Sequence, residues 1–195
     1  MMEKSLELRR QNAYQLIDSK DTSLKIFNTY IIALAAFLYD IDWKGACYAI
    51  SSILYVLYTE QNIEVDLYIG EVKYQNNYFD HSWVEINQDI YDISVANPLA
   101  QNADTIVGPV FKGIDLDTMK PTLVTYGVAS EFEDDEYARL IKNSTLTQYM
   151  DKPVPPLSGM TLWDMAIELG KLLKLNLNMD VVKSKYLKTQ WKEKS

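Results

Sequence analysis

Cys47, His81 and Asp92 are the residues of this chain whose types and order could carry chemistry. The sequence holds one cysteine and one histidine. Cys47 opens the apolar segment Gly45-Ala46-Cys47-Tyr48-Ala49-Ile50-Ser51, and His81 begins the strand-like run His81-Ser82-Trp83-Val84-Glu85-Ile86. Asp92 follows a short turn later, in Ile90-Tyr91-Asp92-Ile93-Ser94. A thiol at a helix start, an imidazole on a strand and a carboxylate on the next strand can act as nucleophile, base and orienter. The thiolate is the reactive form of cysteine, and both a helix N-terminus and an imidazolium neighbour favour it. His81 can take the thiol proton and later return it to a leaving amine.

Each residue alone has a plainer reading. A lone Cys in an apolar helix is usually a small buried hydrophobe, and a lone His before a Trp is often a packed core residue. The three types in order, on compatible elements, are a stronger signal than any one of them.

The elements that must position them follow from periodicity. Ala46, Ile50, Ile53 and Leu57 fall on one helical face, which predicts a helix over about 46–60. From Ile63 the period becomes two, with Val65, Leu67 and Ile69 alternating with Glu64, Asp66 and Tyr68, which predicts a half-buried strand. Tyr74-Gln75-Asn76-Asn77 reads as a turn, and strands at roughly 78–87 and 89–95 form a hairpin around Asn87-Gln88. A two-residue loop there sets Asp92 opposite Trp83, with His81 its diagonal neighbour on the same face. A shift of one residue would send Asp92 to the other face.

The remaining signals place helices over 3–18 and from a cap at Asp21-Thr22 through Phe27, Ile31, Leu34 and Leu38. Thr105–Phe111 and Pro121–Val128 read as strands, and Asp134–Tyr149 as a polar helix. Residues 151–159 hold three of the six prolines and read as an extended connector. Thr161-Leu162-Trp163-Asp164 resembles a capping box and starts a helix with Leu162, Met165, Leu169 and Leu172 on one stripe. The fold class is therefore α+β. The organisation is a domain over 1–150 with N-terminal helices, the connector 151–159 and a helical C-terminal extension over 160–195.

The net charge of −8 argues against a nucleic-acid-binding body. Residues 171–195 carry seven Lys against Asp180 and Glu193, a local excess of +5 that leaves −13 on residues 1–170. That end is expected to lie on the chain's own acidic surface, an acidic partner or a second copy, with a frayed Lys-rich tip. One cysteine excludes an internal disulfide and suits the cytoplasm. The start lacks a signal-peptide core, and the longest apolar run, 30–39, falls short of the ~20 residues of a membrane span. The acidic run Glu131–Glu136 lacks the spacing of a calcium loop. No metal cluster, phosphate loop or nucleic-acid motif is present, so no metal or cofactor is expected.

Gly45-Ala46-Cys47-Tyr48 resembles the glycine-x-cysteine-aromatic nucleophile motif of the transglutaminase-like, papain-related superfamily. His81-Ser82-Trp83-Val84-Glu85 and the following Asp92 are similar to its histidine-strand and aspartate. The resemblance spans roughly residues 43–95. It implies a papain-like core, with the Cys47 helix packed on an antiparallel sheet carrying His81 and Asp92, and thiol-dependent acyl transfer or amide hydrolysis on a peptide or protein amide. Peptidase, deamidase and cross-linking transferase stay together under that heading. The glutamine that papain-type proteases place before the cysteine is absent from residues 40–44, as are the motifs flanking the cysteine of arylamine acetyltransferases. The Cys47 N–H can supply one oxyanion donor, and Trp43 and Trp83 are the candidate oxyanion and substrate-binding residues. Tyr68, Tyr74, Tyr78 and Tyr91 are candidates to line a groove. The alternative is a catalytically silent module of the same fold that binds a protein partner.

Overall fold

The computed structural model describes residues 5–99, 107–130, 134–154, 156 and 158–195. The chain begins with α1 (Leu6–Tyr14), capped by the Ser5 side chain on the Leu8 N–H at 3.2 Å. α2 (Asp21–Leu34) continues without a break into a π-helical segment, Ala35–Asp40. Asp21 is the first helical residue and Lys20 the cap position, so Asp21-Thr22 is one residue inside the expected boundary. The whole run Asp21–Asp40 is long and apolar enough to cross a membrane, because the apolar stretch is extended by a mixed first turn. Half of its most apolar window is buried inside the fold. Tyr30 anchors this helix on the sheet by donating to the Val110 carbonyl at 2.8 Å.

α3 (Cys47–Thr59) is the centre of the molecule. All its residues except Tyr55 and Thr59 are buried, rather than one face only. The reason lies in what surrounds it, since α3 packs against the sheet and also against α2 and the later helices. β1 (Asp66–Tyr74) and β2 (Asn77–Ile86) form a hairpin closed by Gln75-Asn76, with Tyr74 paired to Asn77. β3 (Asp89–Asp92) folds back on β2, pairing Val84 with Tyr91 and Ile86 with Asp89. That is the register the two-residue loop predicts. Asn87 and Gln88 both have positive φ, 52° and 70°, which matches the right-handed strand twist.

The short strands β4 (Val110–Phe111), β5 (Ile114–Asp115), β6 (Lys120–Pro121) and β7 (Thr125–Val128) complete most of the sheet. Its order is β6-β5-β4-β3-β2-β1-β7, antiparallel throughout. Of the predicted strand Thr105–Phe111 only its last two residues are β, and residues 105 and 106 lie outside the described residues. The polar helix expected over 134–149 is two helices, α4 (Glu136–Lys142) and α5 (Leu146–Met150), because Thr145 and Gln148 form a new capping box. The fold class is α+β, with helices against one mixed sheet.

The C-terminal region departs from expectation. The connector is not simply extended: Pro153 bridges Thr161, and the Val154 N–H donates to the Met160 carbonyl at 3.0 Å, closing the loop on itself. The Thr161–Asp164 capping box is present and starts α6 (Leu162–Leu172), whose Trp163 is fully buried in the core shared with α2 and α3. After α7 (Met179–Lys185) the tip is not frayed. β8 (Lys192–Glu193) pairs parallel with Tyr68 and Ile69 of β1, and Trp191 is buried and donates to Ser82 Oγ at 3.1 Å. Apolar burial of Trp191 outweighs the solvation of the lysines, which instead pair with Asp66, Glu85 and Glu60.

Candidate active site

Cys47 is the first residue of α3, and the chain reaches it through a turn that glycine makes possible. Gly45 has φ +65°, and a Cβ there would meet the Leu99 Cβ at 2.9 Å. Its N–H donates to the Asn97 carbonyl at 2.9 Å, which ties the helix entry to the segment just after Asp92. Ala46 occupies the cap position and offers no side-chain acceptor. The first turn thus has no side-chain cap, and the positive end of the helix dipole lies there.

His81 and Asp92 meet as the hairpin register requires. His81 Nε2 and Asp92 Oδ2 are 2.6 Å apart, in a site where the residues are 3% and 2% exposed. Cys47, 9% exposed, is near enough to the same imidazole to act on its charge. Because Nε2 is committed to Asp92, Nδ1 is the nitrogen left for the thiol.

The carboxylate is held by more than the histidine. Asp92 Oδ1 accepts from the Ser94 N–H at 2.9 Å, the Ser94 hydroxyl at 2.7 Å and the Val95 N–H at 3.2 Å. These bonds start the short 3-10 turn Ser94–Ala96, so Asp92 caps that turn while orienting the imidazole. Oδ2 also accepts from the Tyr126 hydroxyl at 2.8 Å.

Burial alone would neutralise both members of this pair, and their mutual attraction opposes it. For His81, desolvation works against the charged ring, but the Asp92 carboxylate, its hydrogen bond and Cys47 together raise the pKa from 6.5 to about 10. For Asp92, desolvation pushes upward, and His81, Ser94 and Tyr126 bring the carboxyl below its ordinary value. The site therefore rests as imidazolium and carboxylate.

Trp83 does not take the place expected of it. Trp83 is fully buried, stacked on Tyr68 and tilted against Tyr126, and its indole N–H donates to Glu85 Oε1 at 2.8 Å. It has neither a free donor nor an open face, so it is a wall of the site and not an oxyanion or substrate-binding residue. Trp43 is half-buried with its ring against Phe37, centroids 6.3 Å apart. Of the four tyrosines proposed to line a groove, Tyr91 lies in the main core between Tyr30, Tyr58 and Phe111.

Tyr126 and Ser94 are the contacts that sequence reasoning missed. Tyr126 arrives from β7, which joins β1 across a register shift at Glu71/Val72, and no local pattern announces that pairing. Ser94 was legible as an Asp-x-Ser turn directly after the orienter. Tyr48, next to Cys47, is buried, and its hydroxyl has no hydrogen-bond partner among the described residues. Its ring meets Tyr137 edge-on at 5.6 Å. Residues 131–133 of the acidic run lie outside the described residues, and among the described residues no cluster of acids, His and Cys could hold a metal ion.

Protein-family models, curated proteins and solved structures return no match to this chain. The arrangement can do general acid–base work at a thiol: a nucleophile at an uncapped helix start, an imidazole beside it, and a saturated carboxylate behind.

Proposed function

We propose that the chain is a thiol-dependent acyltransferase or amide hydrolase with a transglutaminase-like, papain-like core. Cys47 Sγ attacks an amide carbonyl carbon, the C–N bond breaks, and His81 gives its proton to the departing amine. The resulting thioester is opened by water or a second amine. His81 takes the proton of that acceptor and restores the resting pair. The N–H of Cys47 faces the oxyanion as one donor. Asp92 keeps the ring oriented and stabilises its charge without taking its proton.

The observation that carries this reading is the link Cys47–His81–Asp92, closed by the 2.6 Å contact to a carboxylate with four further hydrogen bonds. A core histidine with only a structural role does not need a thiol on its other side. A peptide or protein amide in the cytoplasm is the substrate class that fits. The low exposure of Cys47 supports the second reading, a silent module that binds a protein partner.

Acylation separates them. Incubated with p-nitrophenyl acetate, the native chain should release nitrophenolate and carry one acetyl group on Cys47, and His81→Ala should lose both signals. An unmodified Cys47 in the presence of excess ester would leave only the binding module.

A further inference from the structure

α3 carries two adjacent buried serines, and they use their hydroxyls differently. Ser52 Oγ donates to the Tyr48 carbonyl at 2.6 Å, the bond to residue i−4 by which a helical serine satisfies itself. Ser51 also has a carbonyl of its own helix within reach, that of Tyr48 at 3.2 Å, but it stands closer to Ser82 Oγ, at 2.7 Å. Ser51 lies one turn after Cys47 on the same helical face, and Ser82 is the residue after His81. The contact therefore joins the helix that carries the thiol to the strand that carries the imidazole.

A count of protons gives this bond its direction. The single Ser82 proton goes to the Tyr68 carbonyl of β1 at 2.7 Å, and the Ser82 oxygen accepts from the Trp191 indole N–H at 3.1 Å. One lone pair is left, so Ser51 is the donor of the 2.7 Å bond. Ser51, Ser82 and Trp191 are all buried, and each of their polar groups has its partner. A satisfied network of this kind holds its elements in one arrangement. The hydrophobic effect has no direction, so burial of the apolar side chains of α3 does not by itself set its height on β2. A hydrogen bond between two short side chains does, because it is demanding in both length and angle.

We propose that Ser51 and Ser82 are positioning residues, whose bond sets the height of α3 on β2 and so the approach of Cys47 to His81. Trp191 and the Tyr68 carbonyl hold the Ser82 hydroxyl in the orientation that receives Ser51. The C-terminal strand thereby belongs to the site, since Trp191 immediately precedes β8. The two serines act through the thiol and the imidazole. This role rests on Cys47 being the acyl nucleophile that His81 activates.

The test is a double-mutant cycle on the full chain, read as the rate at which iodoacetamide labels Cys47 near pH 6, followed by intact mass. Ser51→Ala leaves no buried group without a partner, because Ser82 keeps its bonds to Trp191 and Tyr68. It should slow labelling about fivefold where His81 is present and make no difference in the His81→Ala background. Ser82→Ala removes the same link from the other side and should act in the same way. Ser52→Ala loses only a bond within the helix and should leave the rate unchanged. A helix that is merely loosened would alter access to the thiol equally in both backgrounds. Equal effects of Ser51→Ala with and without His81, no effect with it, or an equal effect from Ser52→Ala would overturn the positioning role. If His81→Ala alone still slowed labelling, the acyl-transfer reading would stand. Labelling that His81→Ala leaves unchanged would overturn both.

Discussion

At the scale of single residues, the site depends on how completely one carboxylate is saturated. Asp92 holds His81 with one oxygen and caps the Ser94 turn with the other, so its two functions have separate atoms. Asp92→Asn keeps an acceptor for the turn but loses the ion pair and can favour the wrong imidazole tautomer. It should slow acylation of Cys47 on the order of 10³-fold, measured by nitrophenolate release, and lower stability in chemical denaturation. Tyr126→Phe removes one neutral donor from a buried charge and should lower stability by about 1.5–3 kcal/mol in the same assay. The difference between these residues is also a difference in legibility. His81 and Asp92 lie on adjacent strands joined by a two-residue loop, so their meeting follows from local register. Tyr126 arrives across a bulged pairing of strands distant in sequence, and nothing in Thr125-Tyr126-Gly127 distinguishes it from an ordinary strand tyrosine. Trp83 misled for the opposite reason. Its place beside His81 was readable, but the layer formed by Tyr68, Tyr126 and Glu85 that closes over it was not.

At the scale of elements, α3 and its entry turn decide where the thiol stands. Gly45 is required both by its positive φ and by the approach of Leu99. Gly45→Ala should therefore cost about 1–2 kcal/mol in denaturant unfolding and displace the first turn, with slower alkylation of Cys47. The Cys47 helix and the hairpin turn at Asn87-Gln88 were legible because period and turn chemistry agree there, although β1 begins at Asp66 and not at Ile63 and β3 ends at Asp92 and not at 95. The C-terminal tip was not. Its lysines read as a solvated end, yet Trp191 enters the core and β8 extends the sheet alongside β1. Trp191→Ala should lower stability by about 3–5 kcal/mol, and removal of residues 184–195 should lower the melting temperature clearly. A melting temperature unchanged by that truncation would contradict the packing of β8.

At the scale of the whole molecule, one buried ion pair links stability to pH. His81 binds its proton more tightly in the folded state, so its contribution is fully present below its ordinary pKa of 6.5 and is lost as pH rises towards about 10. Asp92 has the opposite sign: its contribution is present above 3.8 and is lost as pH falls through its lowered folded value. The melting temperature of the wild type should therefore fall between pH 6.5 and 10 more steeply than that of His81→Gln. Parallel curves would mean that His81 is not charged in the fold. The same imidazolium is what should make the thiol reactive, and the alkylation rate of native Cys47 by iodoacetamide near pH 6 tests this most directly. The rate should exceed that of free cysteine and fall about tenfold or more in His81→Ala. A Cys47 that reacts only after denaturation, or at the same rate with and without the imidazole, would contradict the assignment of Cys47 as nucleophile.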